Sequence, residues 1–253
     1  MHRWFLFAVA LMPSGFAAPA GAAEILLVSP GAVSSSLKEL IPEFERSSGH
    51  KVTVKYSPAL ALAERIRNGE TADVAILGEP AADELQQAGR LVAGSKVVIA
   101  RVGVGVFVRR GAPVPDIATP DAFLAAVANA QAIAYSDPAL GGTAASHVGR
   151  LLASLDTTGA IKAKTKFTAP SKPLADFVVG GGADFGLTQI TEIVADPRLA
   201  LAGPLPGPFQ YYTRYAASLV AVSAQQEIGK ALIAFLASPA AAALMRSKGF
   251  EPL

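Results

Sequence analysis

ILLVSPGAVSSSLKELIPEFERSSGHKVTV, residues 25–54, sets the pattern from which the rest of the chain is read. An apolar run from Ile25 to Val28 stops at Ser29-Pro30-Gly31, and three serines, Ser34, Ser35 and Ser36, lead into LKELIPEFE. There Leu37, Leu40, Ile41 and Phe44 recur at helical spacing. Glu39, three residues beyond Ser36, predicts a capping box. A β-branched strand at 52–54 completes a strand–loop–helix–strand unit. A helix that starts just past the end of a buried strand offers free N–H groups, and hydroxyls at the same point favour an anion.

The unit recurs. Residues 132–135 read as a strand, Ser136-Asp137-Pro138-Ala139-Leu140-Gly141-Gly142-Thr143 as a polar loop, and 144–154 as a helix. Gly69-x-x-Ala72-Asp73-Val74 is echoed by Gly180-x-x-Ala183-Asp184-Phe185, each after a helix and before a strand. Between these units the pattern predicts a helix ending at Gly69, a strand VAIL at 74–77 and a helix at 80–88. A long β-rich run follows at 97–108, its Gly103 and Gly105 marking a bend or a close backbone approach. A Pro/Gly-rich connection at 109–119 leads to a helix at 121–130, and KAKTKF reads as a charged link. A strand at 216–222, a helix at 225–237 and a terminal segment from Ser238-Pro239 complete the chain.

Alternating helices and short apolar strands indicate an α/β fold. It is expected as two lobes, each a mostly parallel sheet flanked by helices, joined by two crossing strands. Residues 23–103 with 220–253 would form the first lobe and 104–219 the second.

MHRWFLFAVALMPSGFAAPAGAAEI opens the chain with Arg3, an apolar core and small residues at Ala20 and Ala22, which predicts an export signal over 1–22 cut after Ala22. That core is far short of the roughly 20 residues a spanning helix needs. The expected product is a soluble, periplasmic monomer. Of the 22 basic residues, the 21 left without Arg3 nearly balance the 20 acidic ones, and no basic cluster interleaves with aromatics, which excludes nucleic acid as a partner. The absence of cysteine excludes thiol and zinc–cysteine chemistry, and His50 and His147 are too few for a histidine-rich metal site. Gly103-x-Gly105 lacks the third glycine of a dinucleotide fingerprint, so no cofactor is expected.

The candidate ligand residues follow the strand ends. Gly31, Ser34, Ser35 and Ser57 stand at one edge; Ser136, Gly141, Gly142 and Thr143 stand at the other. Each set reads as donors to an anion or as ordinary caps and turns. Arg101 interrupts an apolar strand, either as a clamp for a carboxylate or oxyanion or as a snorkelling edge residue. Gln189, Thr191 and Glu192 follow the strand ending at Leu187. Tyr211, Tyr212 and Tyr215 read as packing or hinge residues.

With these pieces in order, the chain resembles the type II periplasmic solute-binding proteins of ABC importers, in the molybdate-binding-like branch. The resemblance runs through VSPGAVSSSLKELIPEFERSSGHKVTV, LAERIRNGETADVAIL, VGVGVFVRRGAPVPDI, IAYSDPALGG and ALIAFLASPAAAALMRSKGFEP. It implies two lobes closing over a small anion, delivered to an ABC permease. The tyrosine that molybdate binders carry after the last strand of lobe two falls at Gln189, and GLTQITEI with YSDPALGG is similar to relatives that include a periplasmic aconitate isomerase. Two functions are therefore carried. One is non-catalytic capture of a molybdate-like oxyanion or an organic carboxylate, which is favoured. The other is a 1,3-proton shift on a tricarboxylate, for which Asp137, His147 and Glu192 are the candidate bases.

Overall fold

The computed structural model describes residues 22–168, 173–251 and 253; the expected export signal, Ala22 apart, lies outside the described residues. β1 (Glu24–Ser29) runs through a short 3-10 turn (Gly31–Val33) into α1 (Ser34–Ser48). The apolar spacing read from the sequence is the packed face of α1: Leu37, Leu40, Ile41 and Phe44 are buried, and Pro42 lies on the exposed side. The helix ends at Gly49, whose left-handed backbone (φ 75°) lets its N–H close on the Glu45 carbonyl. The expected capping box does not form. The helix takes in all three serines behind Val33, Ser36 is buried without a hydrogen-bond partner, and Glu39 pairs with Lys248.

The first lobe continues with β2 (Lys51–Tyr56), α2 (Ala59–Arg67), β3 (Val74–Gly78), α3 (Glu79–Gln87) and β4 (Val97–Arg109). Then come α4 (Pro120–Asn129), β5 (Ile133–Ser136), α5 (Thr143–Leu155), α6 (Ala160–Lys164), β6 (Thr165–Thr168), α7 (Leu174–Val179), β7 (Phe185–Gln189), α8 (Ile190–Ala195) and β8 (Leu199–Pro204). β9 (Tyr212–Leu219), α9 (Gln226–Leu236) and α10 (Pro239–Ser247) bring the chain back. The charged link is thus α6 and β6, with Lys162 on the helix and Lys166 on the edge strand facing solvent, and the last strand starts at Tyr212 rather than Ala216.

The strand order is β2-β1-β3-β9-β4-β7-β5-β6, with β8 also on β4. β1 pairs in parallel with β2 and β3, and β5 with β6 and β7; every antiparallel pair involves β4 or β9. Each half is therefore a parallel sheet, and the two long strands that cross between halves make the whole mixed. The first half of β4 pairs with β9 and the second half with β7 and β8. Core membership changes along these strands: Val102 packs with Leu27, Leu40 and Tyr215, whereas Val104 packs with Phe123, Val148 and Leu187. Tyr215 and Leu219 already belong to the first core, so by packing the return crossing precedes Tyr215, earlier than the 219/220 boundary expected.

The echoed motif is the same device used twice. The Asp73 carboxylate accepts from the Leu26 N–H (2.7 Å) at the start of β1, and the Asp184 carboxylate accepts from the N–H groups of Gln131 (2.5 Å) and Ala132 (3.1 Å) just before β5. Each aspartate pins a neighbouring parallel strand in register. At the crossing, Gln210 accepts from the Val104 N–H (2.8 Å) and donates to the Val104 carbonyl (3.0 Å). A Cβ on Gly103 would sit 3.0 Å from that amide, and one on Gly105 would sit 2.8 Å from Ile190. Both glycines therefore serve close approach, as their place in a strand implied.

Candidate functional site

Because β1, β2 and β3 are parallel, α1, α2 and α3 all start at one edge of the first half-sheet; α5 and α8 start at the matching edge of the second, after β5 and β7. None of these five helices has a side-chain cap, whereas α4 and α10 are capped by Thr119 and Ser238. The two edges meet. The Gly31–Val33 turn lies against α8, and a Cβ on Gly78 would sit 3.9 Å from the Thr143 methyl. Gly141 (φ 76°) approaches so closely that a Cβ there would come within 2.1 Å of the Leu60 Cβ. The result is an interlobe seam lined by helix starts and strand ends.

Its floor is a hydrogen-bonded cluster. The Gln189 amide donates to the hydroxyls of Thr143 (3.2 Å) and Thr213 (3.0 Å), and these hydroxyls lie 2.7 Å apart. The Tyr215 hydroxyl donates to the Gln189 carbonyl oxygen at 2.9 Å. Tyr215 also contacts Thr143, so each donor of the cluster finds an acceptor within it. Burial pushes the Tyr215 phenol up, and the nearby Glu192 charge adds to the rise. Glu192 itself is reached by solvent, yet protein surrounds its carboxyl closely enough that lost hydration raises its pKa above the ordinary glutamate value. The Thr188 hydroxyl, which donates to it, opposes part of that rise.

The wall made by the first lobe differs. The hydroxyls of Ser35 and Ser36 are buried with no hydrogen-bond partner, and across the seam so is that of Thr191. Ser34 and Ser136 are half-buried at their element ends. Ser57 accepts from Arg65 at 2.7 Å, and Arg65 also pairs with Glu70.

A model of the bacterial extracellular solute-binding protein family matches residues 25–251. The chain belongs to that family. As a member this solute-binding protein acts outside the cytoplasm on a small solute. It is 30% identical over 237 residues to an aconitate isomerase from a Pseudomonas species, covering 90% of this chain and 88% of that one. It is 26% identical over 249 residues to the molybdate-binding protein ModA of Azotobacter vinelandii, covering 96% and 95%. In fold it is similar to the solved periplasmic molybdate-binding protein of Azotobacter vinelandii, with TM-score 0.72, 18% identity and coverage of 90% of this chain and 99% of that chain.

Of the residues singled out from sequence, Gly31, Gly141, Gly142, Thr143 and Gln189 stand at the seam or its floor and Glu192 on α8 beside it; the serines of α1 lie on the first turn of the helix that starts there, Ser36 on its packed face. Arg101 does not join the cluster. It stands opposite Arg214 on β9, while Thr213 and Tyr215, which bond Gln189, are on the alternate face of that strand. Its guanidinium pairs with Glu251 (3.2 Å) and lies 4.9 Å from the centre of the Tyr212 ring, so the expected clamp is an ion pair holding the C-terminal segment. His147 bonds the Phe209 carbonyl (2.8 Å) and stacks on Tyr211, and Asp137 caps the Ala139 N–H (2.9 Å); both are held in structural roles. Thr213 and Tyr215 were not read as site residues. The signal available was alternation along β9, which places both on one face beside Gln189.

Proposed function

We propose that the protein is exported with cleavage near Ala22 and captures a small organic polycarboxylate between its lobes, delivering it to an ABC permease in the inner membrane. The observation that carries this reading is a seam lined by neutral donors from both lobes, with a carboxyl of raised pKa, Glu192, beside its floor. Neutral N–H and hydroxyl groups bind an anion reversibly without a full counter-charge. The 30% identical relative named as an aconitate isomerase supports an organic acid over an oxyanion, as does glutamine at position 189.

Thermal unfolding in the presence of citrate, cis- and trans-aconitate, molybdate, tungstate and sulfate tests it, since a ligand that binds only the folded state raises the midpoint. Stabilisation by polycarboxylates is expected. Stabilisation by molybdate or tungstate alone would replace this reading with oxyanion capture.

Glu192 favours a second reading. A carboxyl whose pKa is raised is a more effective base, and the free N–H groups at the uncapped start of α5 can stabilise charge that develops on a substrate carboxylate. Glu192 would take a proton from the methylene carbon of a tricarboxylate; the electron pair would move through the double bond, and the same carboxyl, its proton exchanging with solvent, would protonate the carbon two positions away. Trans-aconitate incubated with the protein in deuterated water would then convert to the cis isomer with deuterium incorporated, and Glu192→Gln would abolish both. Tight binding with neither signal leaves capture alone.

A further inference from the structure

A cavity of about 730 Å³ opens on the second lobe between α5, α6 and the β5–β6 pair, outside the seam cluster. Its wall is largely apolar, with Leu152, Ile161 and the rings of Tyr135 and Phe167, which meet edge-on at 5.1 Å. Phe167 is 56% exposed, a large ring held at the cavity rather than in a core. Tyr135 is 4% exposed, and among the described residues its hydroxyl has no hydrogen-bond partner. The hydroxyl is not among the fully buried polar atoms, so it reaches the cavity that Tyr135 lines. Gly149 makes the room in front of it: a Cβ there would stand 3.4 Å from that hydroxyl and 3.2 Å from Pro138. A glycine inside a helix is less favourable than alanine, so the opening is kept at some expense to α5.

Charge at the rim is net positive. Arg150 and Lys162 both line the cavity, and neither side chain has an ion pair or hydrogen bond among the described residues. The acid beside them, Asp156, directs its oxygens to the N–H groups of Ile161 (3.1 Å) and Lys162 (2.8 Å). It fixes the turn into α6 and leaves the two cations without a side-chain partner.

We propose that the second lobe holds a further ligand site for a small hydrophobic carboxylate, its apolar body against Leu152, Ile161 and Phe167 and its carboxylate between Arg150 and Lys162. The Tyr135 hydroxyl reaches the same ligand as a donor. The site is independent of what the interlobe seam binds.

Methyl NMR titration with 2-naphthoate, and with the neutral 2-naphthylmethanol as its counterpart, tests the assignment. The carboxylate should give saturable shifts at Leu152 and Ile161, with the alcohol at least about tenfold weaker, as losing a charge-assisted contact implies. The Arg150→Ala/Lys162→Ala double variant, altered only at exposed side chains, should weaken the carboxylate by at least about tenfold and leave the alcohol unchanged. Tyr135→Phe keeps the ring and should weaken the carboxylate severalfold. Equal affinity for acid and alcohol, indifference to the double variant, or shifts confined to the Thr143–Gln189 region would overturn the site.

Discussion

At the floor of the seam, Gln189, Thr143, Thr213 and Tyr215 satisfy one another; at the first-lobe wall, Ser35 and Ser36 present buried hydroxyls that nothing satisfies. A closed network resists change, because removing one member leaves the others buried and unpaired. An open set contributes nothing to the ligand-free fold and remains available to a ligand. On the capture reading proposed above, the floor would hold the two halves of the site in place and the serine wall would confer affinity. The difference can be tested, because the same kind of substitution should act on stability at one wall and on binding at the other.

The largest effect is expected at Gln189, 4% exposed. Gln189→Leu removes an acceptor from Tyr215 and a donor from each threonine, and should lower the unfolding free energy by about 2–4 kcal/mol in denaturant titrations. Unchanged stability would mean that the floor is no more than a set of side chains in contact, and the contrast with the serine wall would disappear.

Next comes the contact across the seam. Gly141→Ala places a Cβ in a left-handed backbone and against Leu60, which should cost about 1–2 kcal/mol in strain and hold the lobes apart. Ligand affinity should fall by about tenfold or more, for about 1.4 kcal/mol of differential strain. The radius of gyration in small-angle scattering should rise. Adding Leu60→Gly, which removes the Cβ that the new methyl would meet, should recover part of the affinity if the clash, rather than the backbone, is responsible.

The raised pKa of Glu192 gives a dependence whose sign is fixed. Its folded-state pKa lies above the unfolded value, so the native state binds more protons between the two. That contribution to stability is complete below the ordinary glutamate range and is lost as pH rises through the raised value. The melting temperature should fall across that window, and Glu192→Gln should flatten the fall. A slope unchanged by the substitution would assign the pH dependence to another group.

Much of this plan was legible in residues 25–54 and its echoes, because buried strands and amphipathic helices carry periods that survive any tertiary context. Asp73 and Asp184 announced matching lobes before their hydrogen bonds were known. The misreadings share a cause. Arg101 looked like a clamp because its neighbours are apolar, but its partner Glu251 is 150 residues away in sequence. Lys162 and Lys164 on the short α6 and Lys166 on β6 hid both elements; an edge strand tolerates a charge that a central one would not. The floor was legible only in part: Thr143 and Gln189 mark loop and strand ends, whereas Thr213 and Tyr215 matter because β9 crosses between the lobes beside them.

The smallest effect on the ligand-free protein is expected at the serine wall, and it is the sharpest test of the contrast. Ser36 is fully buried and its hydroxyl has no partner, so the ligand-free fold already bears the cost of desolvating it. Ser36→Ala removes that cost together with the group. Stability without ligand should be unchanged within about 0.5 kcal/mol or slightly increased, unlike an ordinary buried hydroxyl whose loss breaks a bond. Ser35→Ala should behave alike in the ligand-free state. With a polycarboxylate identified by thermal shift, calorimetry should then show each variant weakened by about threefold to tenfold, as loss of one hydroxyl donor of about 0.5–1.5 kcal/mol implies. A variant that loses stability without ligand has lost a hydrogen bond within the protein, and its serine then belongs with the floor. If both keep full affinity and full stability, the donors to the anion are the uncapped N–H groups of α1 alone, and the hydroxyls take no part in binding.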